Sequence, residues 1–344
     1  MIKLENCTIA DVARVAGVGV ATVDRVINQR APVRPETAQR VLRAAEAIGF
    51  RGAGLIKKRI NENGKKHKLG FLVQKRRSTF FQLLAQALTD ASRVSPSIQG
   101  ALIEFMDDLT PRLVVEQMRE MATKVDALAV VATEHPHICN AIDELSAQGF
   151  PIFSLISDVT AVKRSGYVGI DNWKVGRTAA WAIANLNPKP GKVAIMMGTH
   201  RYVCQEQCEI SFRSYFRERA LDFQILETLI SLEDSNLAEE ATLELLQQHP
   251  DLVGFYVASG GIEGVLNGLR EHSSAQKIIT VCHELTPLTS AALIDGYVAM
   301  VISHPRELLA THIVDAMINA LEDKVSGGSQ QLILPLQIFT PENI

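Results

Sequence analysis

The sequence predicts an α/β body of two lobes, each built on a parallel sheet, behind a small all-helical head. Three observations carry that prediction. Beyond residue 68, short apolar runs of strand type alternate with helical stretches. Residues 8–50 instead read as three short helices. The charge divides at the same place: residues 1–68 hold 14 Lys and Arg against 6 Asp and Glu, a net +8, which leaves −11 on the rest of a chain whose total is −3. A small basic head on an acidic body points to a polyanion-binding module.

The 344 residues give room for roughly two to two and a half domains. Hydrophobic residues at 47% and charged residues at 21% exclude a mostly disordered or collagen-like chain. No apolar run approaches the roughly 18 residues of a membrane span. Residues 1–6 lack the apolar stretch of a secretory leader, so no membrane partner and a cytoplasmic location are expected. Five cysteines do not read as a disulfide framework.

In the head, Thr8-Ile9-Ala10-Asp11 starts a helix: the hydroxyl can accept from the amide three residues on. Ile9, Val12, Ala13 and Ala16 form its apolar face, and Gly17 stops it. A second helix runs from Val20, after a turn short enough for a helix-turn-helix. Pro35 suits the first turn of a third, in which Val41, Leu42, Ala45 and Ile48 face the core.

The stretch Thr8-Ile9-Ala10-Asp11-Val12-Ala13, then Ala16-Gly17-Val18, then Thr22-Val23-Asp24-Arg25-Val26-Ile27-Asn28 resembles the DNA-binding head of the LacI/GalR family of regulators. The resemblance implies that the second helix enters the major groove. Val20 and Ala21 then stand where the family varies with operator sequence. Both are small and apolar, suited to a thymine methyl. Arg25 can pair with guanine O6 and N7. Thr8, Thr22, Asn28 and Thr37 match positions that touch phosphate, which sets register; Thr8 and Thr22 also read simply as caps. Arg34 is implied as a further DNA contact. Gly19 and Asp24 replace the usual serines. A carboxylate near DNA either accepts from a cytosine amine or pairs internally; the reading here is a pair with Arg25 or Arg14.

Residues 52–67 read as a linker: a short helix that forms on binding, then a joint. The resemblance implies a hinge helix in the minor groove whose Leu-Ala pair wedges a base step. Arg59 and Ile60 fall where that leucine belongs. Leu55 or Ile60 can serve as the wedge, Arg59 can read a narrow groove, or the segment is a solvated basic linker.

The body spans residues 68–344. Strand-like runs fall at 69–73, 102–105, 127–132, 152–155, 167–170, 193–197, 225–230, 253–257, 278–282, 298–302 and 331–339. Helical stretches include 111–123, 136–148, 236–248 and 305–322. This alternation implies parallel sheets with helices on both faces. Ten or more strands are too many for one such sheet, hence two lobes.

Tyr167-Val168-Gly169-Ile170-Asp171-Asn172, followed by Gly176-Arg177-Thr178-Ala179-Ala180, is similar to the periplasmic-binding-protein-like (type I) effector domain of the same family. So is the pattern Asp126-Ala127-Leu128, His135-Pro136, Gly149-Phe150-Pro151-Ile152. The resemblance implies three crossings between lobes, placed near Ser165, Gly296 and Gly328. Lobe 1 is then about 68–165 plus 297–328, and lobe 2 about 166–296 plus 329–344.

Ligands in open α/β sheets bind at the carboxyl ends of strands. Candidates just after strands are Phe80 and Phe81 for stacking, Glu134 and His135, Asp158, Asp171 and Asn172, Ser259, and His283 and Glu284. Against the family pattern, Cys208 stands for an arginine, Ser259-Gly260 for an Asn-Asp, and His283 for an aspartate. These replacements point to a polyol or modified sugar more than a common hexose.

His200, Cys204 and Cys208 are spaced for a metal only if one helix carries all three. His200 reads as loop, so no metal and no cofactor are expected, and no nucleophile elbow or phosphate loop marks an enzyme. The expected function is a transcriptional regulator, a repressor on a pseudo-palindromic operator, answering to a small sugar-like or polyol effector. A homodimer is expected over a tetramer, because residues 331–339 read as strand and no heptad run follows. The alternative is a sugar-binding or sugar-modifying α/β protein with no DNA role.

Overall fold

The computed structural model describes residues 7–28, 30–63, 66–272, 275–322 and 329–344. The chain divides into two compact units: residues 1–68 with 92–100, and residues 69–91 with 101–344.

The head holds α1 (Ile9–Ala16), α2 (Val20–Asn28), α3 (Pro35–Ala47) and α4 (Ala53–Asn63). Thr8 caps α1 by accepting from the Asp11 amide, Asp11 returns the bond, and Gly17 ends the helix with φ +62°. That conformation costs an L side chain and not glycine. Val12, Ala13, Ala16, Val23, Val26, Val41, Leu42 and Ala45 form the core, as the periodicity requires. Ile56 of α4 joins them at 0% exposure. The linker helix expected here is α4, and Ile56 packs it against the head.

The body has two sheets. The first contains β1 (His67–Gln74), β2 (Ile98–Met106), β3 (Ala127–Val130), β4 (Ile152–Leu155), β5 (Gly166–Ile170) and β12 (Gln330–Leu334), in the order β12-β5-β4-β3-β1-β2. β1, β3, β4, β5 and β12 run parallel. The second sheet contains β6 (Lys192–Met197), β7 (Gln224–Ile225), β8 (Leu229–Ile230), β9 (Leu252–Val257), β10 (Ile279–His283), β11 (Met300–Ser303) and β13 (Gln337–Phe339). It is parallel except for β13, which is antiparallel to β11. The run expected as one strand over 225–230 is two short strands on the same neighbour, and that over 331–339 splits between the sheets.

Those memberships move the crossings. β5 belongs to the first lobe and β11 to the second, so the chain crosses after Ile170 and after Ser303, not at Ser165 and Gly296. The third crossing lies between β12 and β13, past Gly328, which is outside the described residues. The reason is geometric: parallel strands aim their carboxyl ends at the other lobe, so a chain leaves a lobe at the end of a strand and not before it.

The helices of the body, in order, are α5 (Thr79–Val94), α6 (Pro111–Ala122), α7 (Pro136–Ala147), α8 (Asn172–Leu186), α9 (Val203–Arg219), α10 (Ser235–Gln248), α11 (Ile262–Glu271), α12 (Pro287–Ile294) and α13 (Arg306–Glu322). Leu72, Met118, Leu128 and Ile142 pack one core; Phe255, Val265, Leu266 and Leu293 pack another. α8 and α9 pack closely because Gly176 has no side chain: a Cβ there would stand 2.1 Å from the Cys208 carbonyl oxygen and from Ser211 Oγ.

Candidate functional site

The strand ends of the two sheets surround a cavity of about 500 Å³. Gln74 and Lys75 reach it from the end of β1, and Phe80 and Phe81 from the start of α5. Ser157 follows β4 and Asn172 follows β5; Cys204, Gln205 and Cys208 come from α9. Glu233 follows β8, Ser259 follows β9, His283 and Glu284 lie at the end of β10, and His304 follows β11.

The backbone is strained around this cavity. The non-glycine residues in the left-handed region among the described ones are Lys75, Ile156, Leu232, Glu233 and Glu284. Four of them line the cavity, and Leu232 adjoins Glu233. Such conformations cost of order 1–3 kcal/mol each and persist where the surroundings fix them. At Glu233 the fixing is visible. Gln205 Nε2 donates to its Oε1 at 2.6 Å, while Gln205 Oε1 accepts from the Gly198 and Thr199 amides at 3.0 Å. A Cβ on Gly198 or Gly260 would lie 2.0 or 1.8 Å from the carboxylate. Burial raises the Glu233 carboxyl, against the pull of Gln205 and Lys75.

Glu284 differs. Burial alone would raise it, but His304 holds it below the usual carboxylate range. His304 Nδ1 lies 2.5 Å from Glu284 Oε1, and Ser303 Oγ donates to Oε2 at 3.0 Å. His283 Nε2 meets the Tyr256 hydroxyl at 2.7 Å, and burial pushes its imidazole down to about 4. Burial pushes the Cys204 thiol up to about 12 and the Cys208 thiol up as well, so both are neutral at pH 7. Lys75 Nζ donates to the Glu233 carbonyl at 2.8 Å, from one lobe to the other.

The cavity thus gathers Phe80, Phe81, Asn172, Cys208, Ser259, His283 and Glu284. It does not gather the other four candidates, whose polar atoms serve the fold. Glu134 accepts from the Thr160 amide and hydroxyl at 2.7 and 2.6 Å. His135 caps α7. Asp158 is clamped by Arg164 at 2.8 Å. Asp171 caps α8 and pairs with Lys174. Sequence reasoning missed Lys75, Gln205, Glu233 and His304. Three of these obey the strand-end rule: Lys75 follows β1, Glu233 follows β8, hidden when 225–230 read as one strand, and His304 follows β11, hidden by the misplaced crossing. His200 precedes α9 and meets Glu209 at 3.0 Å. Among the described residues no group of three His, Cys, Asp or Glu is placed to hold a metal ion.

In the head, Val20 is 52% exposed, and Ala21, Arg25, Asn28 and Arg34 are exposed while Thr22 and Thr37 are half-buried. The expected Asp24 pairing with Arg25 or Arg14 is corrected. Asn28 Nδ2 donates to Asp24 Oδ1 at 2.6 Å, and Arg30 lies 3.7 Å from Oδ2. Arg14 pairs with Asp11 at 2.8 Å. One helical turn carries Asp24 to Asn28, whereas Arg25 points around the helix. On α4, Leu55 is 45% exposed and Arg59 half-buried; the side chain of Ile60 lies outside the described ones.

Residues 8–52 match the family described as bacterial regulatory proteins, lacI family. Residues 69–324 match the periplasmic binding protein domain. The chain is 25% identical over 262 residues to the ribose operon repressor of Bacillus subtilis (strain 168), covering 74% of this chain and 73% of that one. Over 44 residues, 13% of each chain, it is 54% identical to the HTH-type transcriptional regulator GalS of Salmonella typhimurium (strain LT2). The fold is similar to GanP, a glucose-galactose binding protein from Geobacillus stearothermophilus, with TM-score 0.73 and 17% identity over 82% of this chain and 99% of that one.

Proposed function

Because the chain belongs to the lacI family of bacterial regulatory proteins, with a periplasmic binding protein domain as its body, we propose that this DNA-binding transcriptional regulator is a cytoplasmic repressor controlled by a small sugar-like or polyol effector. It binds a pseudo-palindromic operator as a homodimer, whose two-fold axis matches two half-sites. The effector occupies the cavity between the lobes and changes their angle, which raises the cost of holding both heads on DNA. Binding about 100-fold tighter to the DNA-free form supplies about 2.7 kcal/mol of release.

One observation carries this reading: the chain joins a helix-turn-helix with Val20, Ala21 and Arg25 exposed to a separate cavity lined from both lobes. No helix among the described residues is long and apolar enough to cross a membrane. The test is a thermal-shift screen against sugars, polyols, sugar acids and sugar phosphates, followed by release of a duplex selected from a random library. A ligand at 100 times its dissociation constant adds about 2.7 kcal/mol of stability. A hit that leaves the selected duplex bound would sink the inducer reading.

A further inference from the structure

We propose that Glu284 is a positioning residue for the two lobes: its carboxylate clamps the second crossing, at Ser303 and His304, and so sets the lobe angle from the edge of the cavity. This rests on the reading that DNA affinity follows that angle.

The register of β10 with β11 runs from Val281 and Met300 to His283 and Ile302. The residues that follow, from Ser303 to Arg306, lead out of the second lobe into α13, which packs against β3, β5 and β12 of the first. Past Ile302 it is Glu284 and Leu285 that hold the chain from the β10 side. Three donors reach the Glu284 carboxylate. Ser303 Oγ and the His304 amide donate to Oε2 at 3.0 and 3.2 Å, and His304 Nδ1 lies 2.5 Å from Oε1. The Leu285 amide donates to Ser303 Oγ at 3.2 Å, and Arg306 donates back to the Leu285 carbonyl.

The clamp holds whatever the charge of the His304 ring. Opposite a carboxylate, Nδ1 carries a proton in the neutral tautomer and in the charged ring alike. The clamp is also built against resistance. Glu284 adopts φ +67°, a conformation that L side chains other than Asn and Asp seldom hold. The turn is fixed from behind: Thr289 Oγ1 donates to the Glu284 carbonyl at 2.8 Å, and Thr289 belongs to the capping box that opens α12. An apolar side chain would join the two strand ends without taking a carboxylate out of water. The acid is what reaches Ser303 and His304 together.

Glu284 also lines the cavity, with its side chain 15% exposed. A carboxylate accepts in about four directions, and three of them are taken within the protein. A ligand hydroxyl that takes the fourth shares the carboxylate with the crossing. Filling the cavity then acts on the join between the lobes through one side chain. The sequence marks Glu284 as a ligand contact because it follows a strand; its bonds make it first a part of the hinge.

The test compares the full chain with Glu284→Gln, Ser303→Ala and Ile142→Val, each well below its melting temperature. Ile142 is buried in the core of the first lobe, so its variant controls for lost stability alone. Two quantities are read without effector: hydrogen exchange at the His304 amide, and affinity for a duplex that the parent selects from a random library. Glu284→Gln turns one acceptor into a donor, so part of the crossing loses its partner. Exchange should rise, and duplex affinity should change, by at least about fivefold. Ser303→Ala removes one donor and leaves the carboxylate; it should move both quantities the same way by less, and it carries the test if Glu284→Gln does not fold. Ile142→Val should move neither. Exchange that rises no more than in Ile142→Val would overturn the proposal, and so would a duplex affinity that stays at the parent's value while exchange rises. If the parent selects no duplex, the regulator reading falls by itself. The clamp is then read from exchange and from the radius of gyration by solution scattering, which Glu284→Gln should enlarge; an unchanged radius would sink it.

Discussion

Arg25 is exposed on α2, the proposed recognition helix, and makes no internal pair with Asp24, which holds Asn28 instead. It is free to meet a guanine edge, so Arg25→Ala should lose about 1–3 kcal/mol of discrimination at one base pair. Binding of the selected duplex and of a single-base variant, measured together, checks this; equal loss on both would make Arg25 a phosphate contact. In the body, His283 makes a second prediction. Burial lowers its pKa from 6.5 to about 4, so between those values the unfolded chain binds the proton and the folded one does not. Stability therefore rises with pH through the window and is lost as pH falls, by up to about 1.4 kcal/mol per unit. Glu284 is held below its ordinary 4.5, so its contribution is lost only further down. Denaturant melts at pH 7, 6 and 5 should show the slope, and His283→Gln should flatten it. His283 was legible because it follows an apolar run. Its partner Tyr256 was not, since a tyrosine inside a strand reads as core until the neighbouring strand is placed.

At the scale of elements, most of the fold was written in periodicity and caps. The residues 152–155 were read as the strand they form, and Pro111, Pro136 and Pro35 open helices. What failed was lobe membership. An apolar run such as 166–170 looks the same in either sheet, and only its neighbours β4 and β12 assign it. Helix contacts are equally silent in sequence. Gly176 was noticed as part of a matching stretch, yet its physical role is the approach of α8 to α9. Gly176→Ala places a methyl 2.1 Å from the Cys208 carbonyl oxygen and must push the helices apart. Overpacking of this kind costs about 1–3 kcal/mol. Thermal melting should drop accordingly. Because α9 carries Gln205 and Cys208 into the cavity, ligand affinity should weaken beyond what the lost stability explains. Unchanged melting would mean that the two helices can separate without cost.

For the whole molecule, function depends on what holds one lobe against the other. Among the hydrogen bonds that span them away from the crossings are Lys75 Nζ to the Glu233 carbonyl at 2.8 Å, the Glu134 amide to the Arg201 carbonyl at 2.7 Å, and the Cys204 amide to Ser157 Oγ at 3.4 Å. The first of these differs in kind from the other two, which are neutral. Lys75 brings a charge, and both its ends are strained: Lys75 has φ +25°, and Leu232 and Glu233 have φ +51° and +58°. A charged donor on a carbonyl is worth about 1.5–3 kcal/mol, comparable with the free energy that moves a two-state equilibrium by one to two decades. Lys75→Met keeps the length of the side chain and removes the donor. The variant should populate a more open body without effector, seen as a larger radius of gyration by solution scattering. Added ligand should restore the compact value while binding more weakly, because part of its energy now closes the lobes. If scattering from the variant and the parent superimpose, the other bonds and the three crossings hold the lobes by themselves, and the strain at Lys75 and Glu233 must serve ligand placement and not closure.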